Sequence, residues 1–171
     1  TASPVICKPI EHGAAVVVHS LTKFIGGHGT VIGGCLVDGG NFDWTANPKR
    51  QPNFNEPDAS YGGAIWGQVV PQLTGANVAF AVRARVCLLR DLGAPLAPDN
   101  AWGIIQGLET APLRMKQHCS NAEKVVDFLK KHKNVERVIY PTLHSGEIAA
   151  RSKKYLKGGN GALVGIEVKG G

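Results

Sequence analysis

The sequence predicts an α/β fold, and three observations carry that prediction. Residues 14–19 form a short, β-branched run that is apolar on both parities, as in a central parallel strand buried on both faces. Residues 112–131 repeat apolar side chains at helical spacing, with Lys124, Asp127, Lys130 and Lys131 on the opposite face. A strand, a short basic helix and a second strand then follow in order. Of the 171 residues, 43% are hydrophobic and 19% charged, a balance that excludes a disordered chain. The 22 glycines and 10 prolines show no collagen-like period.

Taken in order, the first strand is followed by the glycine-rich stretch Gly26-Gly27-His28-Gly29, and residues 30–38 read as a second strand closed by Asp38-Gly39-Gly40. Residues 41–76 mix Asn, Pro, Gly and aromatics with weak periodicity. They predict a long irregular connection with one short helix near 64–69. Val78, Val82, Val86 and Leu89 recur at near-four spacing, predicting a helix that Gly93 and Pro95 end. Asp99 suits the N-cap of the next helix, which carries Trp102, Ile105 and Leu108. The helix opening at Pro112 turns Ala122, Val125, Val126 and Leu129 inward. Residues 135–140 predict a strand, 146–156 a basic helix, and 162–168 a last strand.

Nineteen Lys and Arg against 13 Asp and Glu give a net charge of +6, which suits an anionic partner without choosing a cofactor phosphate over nucleic acid. A basic anion- or nucleic-acid-binding module is thus a reading of another class. Against it, the charges fall on the wet faces of amphipathic helices, aromatics are only 6% of residues, and no nucleic-acid motif is present. Cys7, Cys35, Cys87 and Cys119 are widely spaced, with no metal-ligand pairing. They predict reduced thiols, no metal site and a cytoplasmic protein. No apolar run approaches the roughly 20 residues that span a bilayer. The dinucleotide, P-loop, zinc-protease and nucleophile-elbow motifs are absent.

What remains is Ser20-Leu21-Thr22-Lys23, directly after the first strand. In α/β proteins ligands gather at the carboxyl ends of strands. A lysine there, in a partly dry setting, loses part of its preference for the charged form, and its amine becomes available to an aldehyde. Ser20 and Thr22 can turn hydroxyl donors toward the same ligand oxygens. Glycines nearby let backbone approach. A reactive amine beside phosphate donors is what pyridoxal phosphate requires. The same four residues also suit a solvent-exposed lysine in a glycine-rich turn.

The wider text resembles one family. Val18-His19-Ser20-Leu21-Thr22-Lys23-Phe24, followed by Gly27-His28, is similar to the lysine motif of the Cys/Met-metabolism pyridoxal-phosphate enzymes. Further matches are Lys8-Pro9-Ile10-Glu11-His12-Gly13, Leu88-Leu89-Arg90-Asp91-Leu92-Gly93, Gly107-Leu108-Glu109-Thr110 with Leu113-Arg114-Met115, and Val138-Ile139-Tyr140-Pro141, in order over essentially the whole chain. Gly27-His28-Gly29-Thr30-Val31-Ile32-Gly33-Gly34 and Glu56-Pro57-Asp58-Ala59-Ser60-Tyr61 look most like the O-acetylhomoserine sulfhydrylase branch. Cystathionine synthases and lyases of the same family stand as the alternative.

The resemblance implies the type I fold of pyridoxal-phosphate-dependent transferases, like the large domain of aspartate aminotransferase. Residues 1–113 would lie in the cofactor domain and 114–171 at the start of the smaller C-terminal domain. It implies a transferase of sulfur amino-acid metabolism that performs γ-replacement, O-acetylhomoserine and sulfide giving homocysteine and acetate, in a homotetramer. Lys23 would be the Schiff-base lysine and carry protons. Ser20 and Thr22 would hold the cofactor phosphate. Asn100 and Arg114 are expected in packing or helix-end roles. The family's acid for the pyridine nitrogen and its substrate-carboxylate arginine map outside this chain, which is therefore expected to be an internal piece of a longer enzyme and a poor catalyst alone.

Overall fold

The computed structural model describes residues 2–170; Thr1 and Gly171, the ends at which the chain was expected to be cut, lie outside the described residues. The elements run in the order β1 (Val16–Ser20), β2 (Gly34–Asp38), α1 (Pro52–Asn55), α2 (Trp66–Thr74), α3 (Ala79–Arg83), α4 (Arg90–Leu92), α5 (Pro98–Glu109), α6 (Ala111–Leu129), β3 (Val135–Ile139), α7 (Gly146–Tyr155) and β4 (Gly165–Val168). A wider-pitched stretch, Ala84–Leu89, joins α3 to α4, so residues 79–92 run as the one helix that the valine spacing predicts. Two compact units result. The first comprises residues 1–8, 20–33 and 100–171, and the second 9–19 and 34–99.

In the second unit β1 pairs with β2. The Gly39 N–H donates to the Ala15 carbonyl at one end, and Gly34 lies against the His19 carbonyl at the other, so the strands run in opposite directions. The expectation of a central parallel strand buried on both faces is therefore corrected. Val18 is 64% exposed, and β2 is the one neighbour β1 has among the described residues. An apolar run records what a strand is built to bury, but these residues supply only one strand beside it. The unit's core is Trp66, Val70 and Ala79, packed by Trp44, Phe54, Tyr61, Val78, Val82 and Val86.

The helix expected at 64–69 runs on through Pro71 to Thr74. Proline forfeits one helical hydrogen bond, yet Val70 beside it is buried, and Gly75, at φ 69°, ends the helix by donating its N–H to the Pro71 carbonyl. Asp58 accepts from the Trp66 indole at 2.9 Å and from the Ser60 N–H at 3.0 Å, which ties the irregular connection to the core. These bonds hold the Asp58 carboxyl below the usual carboxylate range, the Trp66 bond contributing most.

The first unit is built around α6. Met115 and Cys119 pack on Ile6, and Ala122 and Val126 on Tyr140, whose hydroxyl donates to the Gly161 carbonyl at 2.8 Å. Leu129 is half-buried, whereas Val125, expected inward, is exposed. β3 and β4 pair antiparallel from Val135↔Val168 to Ile139↔Gly165, with a bulge between Val135 and Arg137. In α5 the buried positions are Ile104 and Gly107. Trp102, Ile105 and Leu108, expected inward, are exposed, and Asp99 lies inside the first turn, not at the N-cap. α5 from Asn100 onward and the whole of α6 belong to this unit.

Candidate active site

The site is one turn of the first unit. After Ser20 the chain enters a wide turn, Leu21–Ile25, which Lys23 breaks with φ −89° and ψ −124°. The Gly26 N–H donates to the Leu21 carbonyl at 2.7 Å and the Gly27 N–H to the Lys23 carbonyl at 2.8 Å. These bonds close the turn around the lysine. Gly27 and Gly29 sit at φ 76° and 69°, the left-handed region where a side chain is disfavoured.

The returning chain ties the turn down. Gly33 accepts from the backbone N–H groups of Leu21 (2.9 Å) and Thr22 (3.2 Å), and its own N–H donates to Thr22 Oγ1 at 3.0 Å. The Thr22 hydroxyl also faces the Gly33 carbonyl at 3.2 Å, long for an O–H donor, whose usual distance is about 2.7–2.8 Å. The Gly33 N–H thus fixes the Thr22 oxygen and leaves its proton weakly held. Asn100 donates to the Ile32 carbonyl at 3.2 Å, a packing role as expected.

Lys23 itself is exposed, Ser20 and Thr22 are half-buried, and Ile25 and Gly26 are buried. Thr22 and Lys23 lie on the turn, and Ser20, the last residue of β1, leads into it. The partly dry setting expected for Lys23 is not supplied by the described residues. The donor set nonetheless fits an aldehyde-bearing phosphate ester: one amine, two hydroxyls within three positions of it, and no carboxylate on the turn to repel an anion. A cavity of about 220 Å³ is lined by Ile6, Phe24, Leu156, Leu163 and Asn160. Its one polar side chain, Asn160, already donates to Glu123, so it offers nothing reactive.

Sequence reasoning missed the support beneath the turn. Arg114 on α6 donates Nη1 to the Phe24 carbonyl at 2.7 Å, Nη2 to the carbonyls of Ile25 (3.0 Å) and Gly107 (2.5 Å), and Nε to Thr110 Oγ1 (3.0 Å). The four-residue spacing of Thr110 and Arg114 marks a helical side-chain pair, but nothing in the sequence sets that pair beside the turn.

A family model described as "Cys/Met metabolism PLP-dependent enzyme" matches residues 1–171. The chain is 52% identical over 174 residues to the O-acetyl-L-homoserine sulfhydrylase of Leptospira meyeri, covering 99% of this chain and 39% of that protein. It is 46% identical to the homocysteine synthase of Schizosaccharomyces pombe, covering 97% and 38%. The chain therefore spans about two fifths of the length of these relatives. Among solved structures, one described as an O-acetylhomoserine (thiol)-lyase from Campylobacter jejuni carries N'-pyridoxyl-lysine-5'-monophosphate. It superposes with a TM-score of 0.85 at 40% identity, covering 98% of this chain and 41% of that one. The cystathionine gamma-lyase of Lactobacillus plantarum, solved with L-serine, gives 0.67 at 26% identity, covering 99% and 34%. The fold is accordingly that of the type I pyridoxal-phosphate enzymes.

Proposed function

This chain belongs to the Cys/Met metabolism family of PLP-dependent enzymes, and from that premise we propose that it carries the cofactor-bearing lysine segment of an O-acetylhomoserine sulfhydrylase. The observation that carries the proposal is the turn itself, which bears Thr22 and Lys23 directly after Ser20 and anchors Thr22 Oγ1 on the Gly33 N–H. Bound there, pyridoxal phosphate supplies an aldehyde for the amine and a ring that takes up the electron pair released at the substrate's α-carbon.

The roles follow from the chemistry of each side chain. Lys23 Nζ would hold the cofactor and, as a free amine, would move protons at the substrate's Cα and Cβ as base and then acid. Ser20 and Thr22 donate hydroxyl protons to the phosphate, a charge-assisted bond stronger than the long one Thr22 makes with Gly33. The overall exchange is balanced: O-acetylhomoserine and hydrogen sulfide give homocysteine and acetic acid, with a C–O bond broken and a C–S bond formed at Cγ.

In the whole enzyme, residues 1–113 belong to the cofactor domain and 114–171 open the smaller one, in a cytoplasmic homotetramer. Among the described residues, no helix is long and apolar enough to cross a membrane. Assaying the full-length protein with O-acetylhomoserine tests the reading. It predicts homocysteine formation that requires sulfide. Cystathionine formation from cysteine, or breakdown of cystathionine without sulfide, would assign the chain to the synthase or lyase alternative, which the likeness to the Lactobacillus enzyme keeps in view.

A further inference from the structure

We propose that Arg114 is a positioning residue for Lys23, the clamp that fixes the backbone from which the amine is presented. This rests on the reading of Lys23 as the cofactor lysine. The guanidinium makes four hydrogen bonds, and two go to the carbonyls of Phe24 and Ile25, the residues immediately after Lys23. The other two go to the Gly107 carbonyl at the end of α5 and to Thr110 at the start of α6. One planar group thus joins the lysine turn to the junction of two helices.

Two glycines have the form this clamp demands. A Cβ at Gly27 would fall 2.8 Å from Arg114 Nη2 and closer still to Nη1. A Cβ at Gly107 would fall 2.7 Å from the Gly26 carbonyl carbon, and closer to its oxygen. Bare backbone at both positions lets the arginine lie against the turn and the helix against Gly26. A peptide chain kinked at Lys23 has carbonyls that regular helical bonding would otherwise occupy, and the arginine takes them. Lysine could not replace it, because an ammonium offers donors from one point while these four acceptors surround a fork.

The test uses the full-length protein and the variants Arg114→Met, Arg114→Lys and Thr110→Val, the last a mild change that removes the Nε acceptor together with the long 3.4 Å bond from the Thr110 hydroxyl to the Gly107 carbonyl. In cofactor-free protein, Arg114→Met and Arg114→Lys should each speed amide exchange at Gly26 and Gly27 about tenfold or more, Thr110→Val less so, with the amides of Val125 and Val126 unmoved. With pyridoxal phosphate added, the pH at which the visible absorbance changes should shift in both arginine variants, and kcat should fall about tenfold with little change in KM. Full rescue by Arg114→Lys, or unchanged exchange at Gly26 and Gly27 in Thr110→Val and the arginine variants, overturns the proposal. A pyridoxyl label found on a lysine other than Lys23 overturns the underlying cofactor reading instead, and the exchange result separates the two.

Discussion

Replacing Gly107 with alanine perturbs the lysine turn from the helix side without touching any group that does chemistry. The new methyl carbon would stand 2.7 Å from the Gly26 carbonyl carbon and 2.9 Å from its Cα, where unbonded carbons need about 3.5 Å. Every atom it meets is backbone, so relief requires α5 and the turn to part by about 1 Å, stretching the Arg114 bonds that span them. Overpacking of this kind costs about 1–3 kcal/mol, and the upper end applies where backbone must move. Alanine returns about 1 kcal/mol of helix propensity. The net cost is about 2 kcal/mol, a factor of about thirty in the opening equilibrium of the turn. Amide exchange at Gly26 and Gly27 in the full-length protein reads that factor directly. Gly103→Ala on the same helix is the control, since its Cβ would meet only a methyl group of Val31 at 2.9 Å. Exchange in Gly107→Ala no faster than in Gly103→Ala would refute the close backbone contact.

Other outcomes follow from the same geometry. The double variant Ser20→Ala, Thr22→Val should weaken pyridoxal phosphate binding by about 3 kcal/mol or more, since each bond to a charged group contributes about 1.5–3 kcal/mol; titration of the cofactor-free protein measures it. Met115→Ala should destabilise by about 2–5 kcal/mol because the side chain is fully buried between Ile6 and Cys119, read from denaturant midpoints. Asp58 titrates below its ordinary range in the fold, so the stability it contributes is present above the unfolded-state value near 3.8 and is lost as pH falls through the lower folded value. Trp66 fluorescence should report that acid transition, and Asp58→Asn should flatten it.

The lysine turn was legible because hydroxyls, an amine and glycines follow a β-branched run, and each has a distinct task at the end of a strand. Helices 79–92 and α6 were legible from apolar spacing. The inward face of α5 was not, because its contact position is Gly107, which carries no hydrophobic signal, while Trp102, Ile105 and Leu108 give a strong apolar stripe that these residues leave open. The opposite sense of β1 and β2 was hidden too. Apolar side chains on both parities report burial on two faces, not the direction of the neighbour, and the turn that reverses the chain is a bent helical segment instead of a tight hairpin. In the sequence Arg114 reads as a packing or helix-end residue because its acceptors are carbonyls far away along the chain. Its reach from α6 to Phe24 spans 90 positions and exists only in the fold.

Every role proposed for the turn depends on Lys23 holding the cofactor. Borohydride reduction of the full-length protein in the presence of pyridoxal phosphate, followed by peptide mapping, reads that bond itself. The pyridoxyl label should fall on the peptide containing Ser20, Thr22 and Lys23, and be absent there in Lys23→Ala. A stoichiometric label on any other lysine, with Lys23 unmodified, would overturn the assignment.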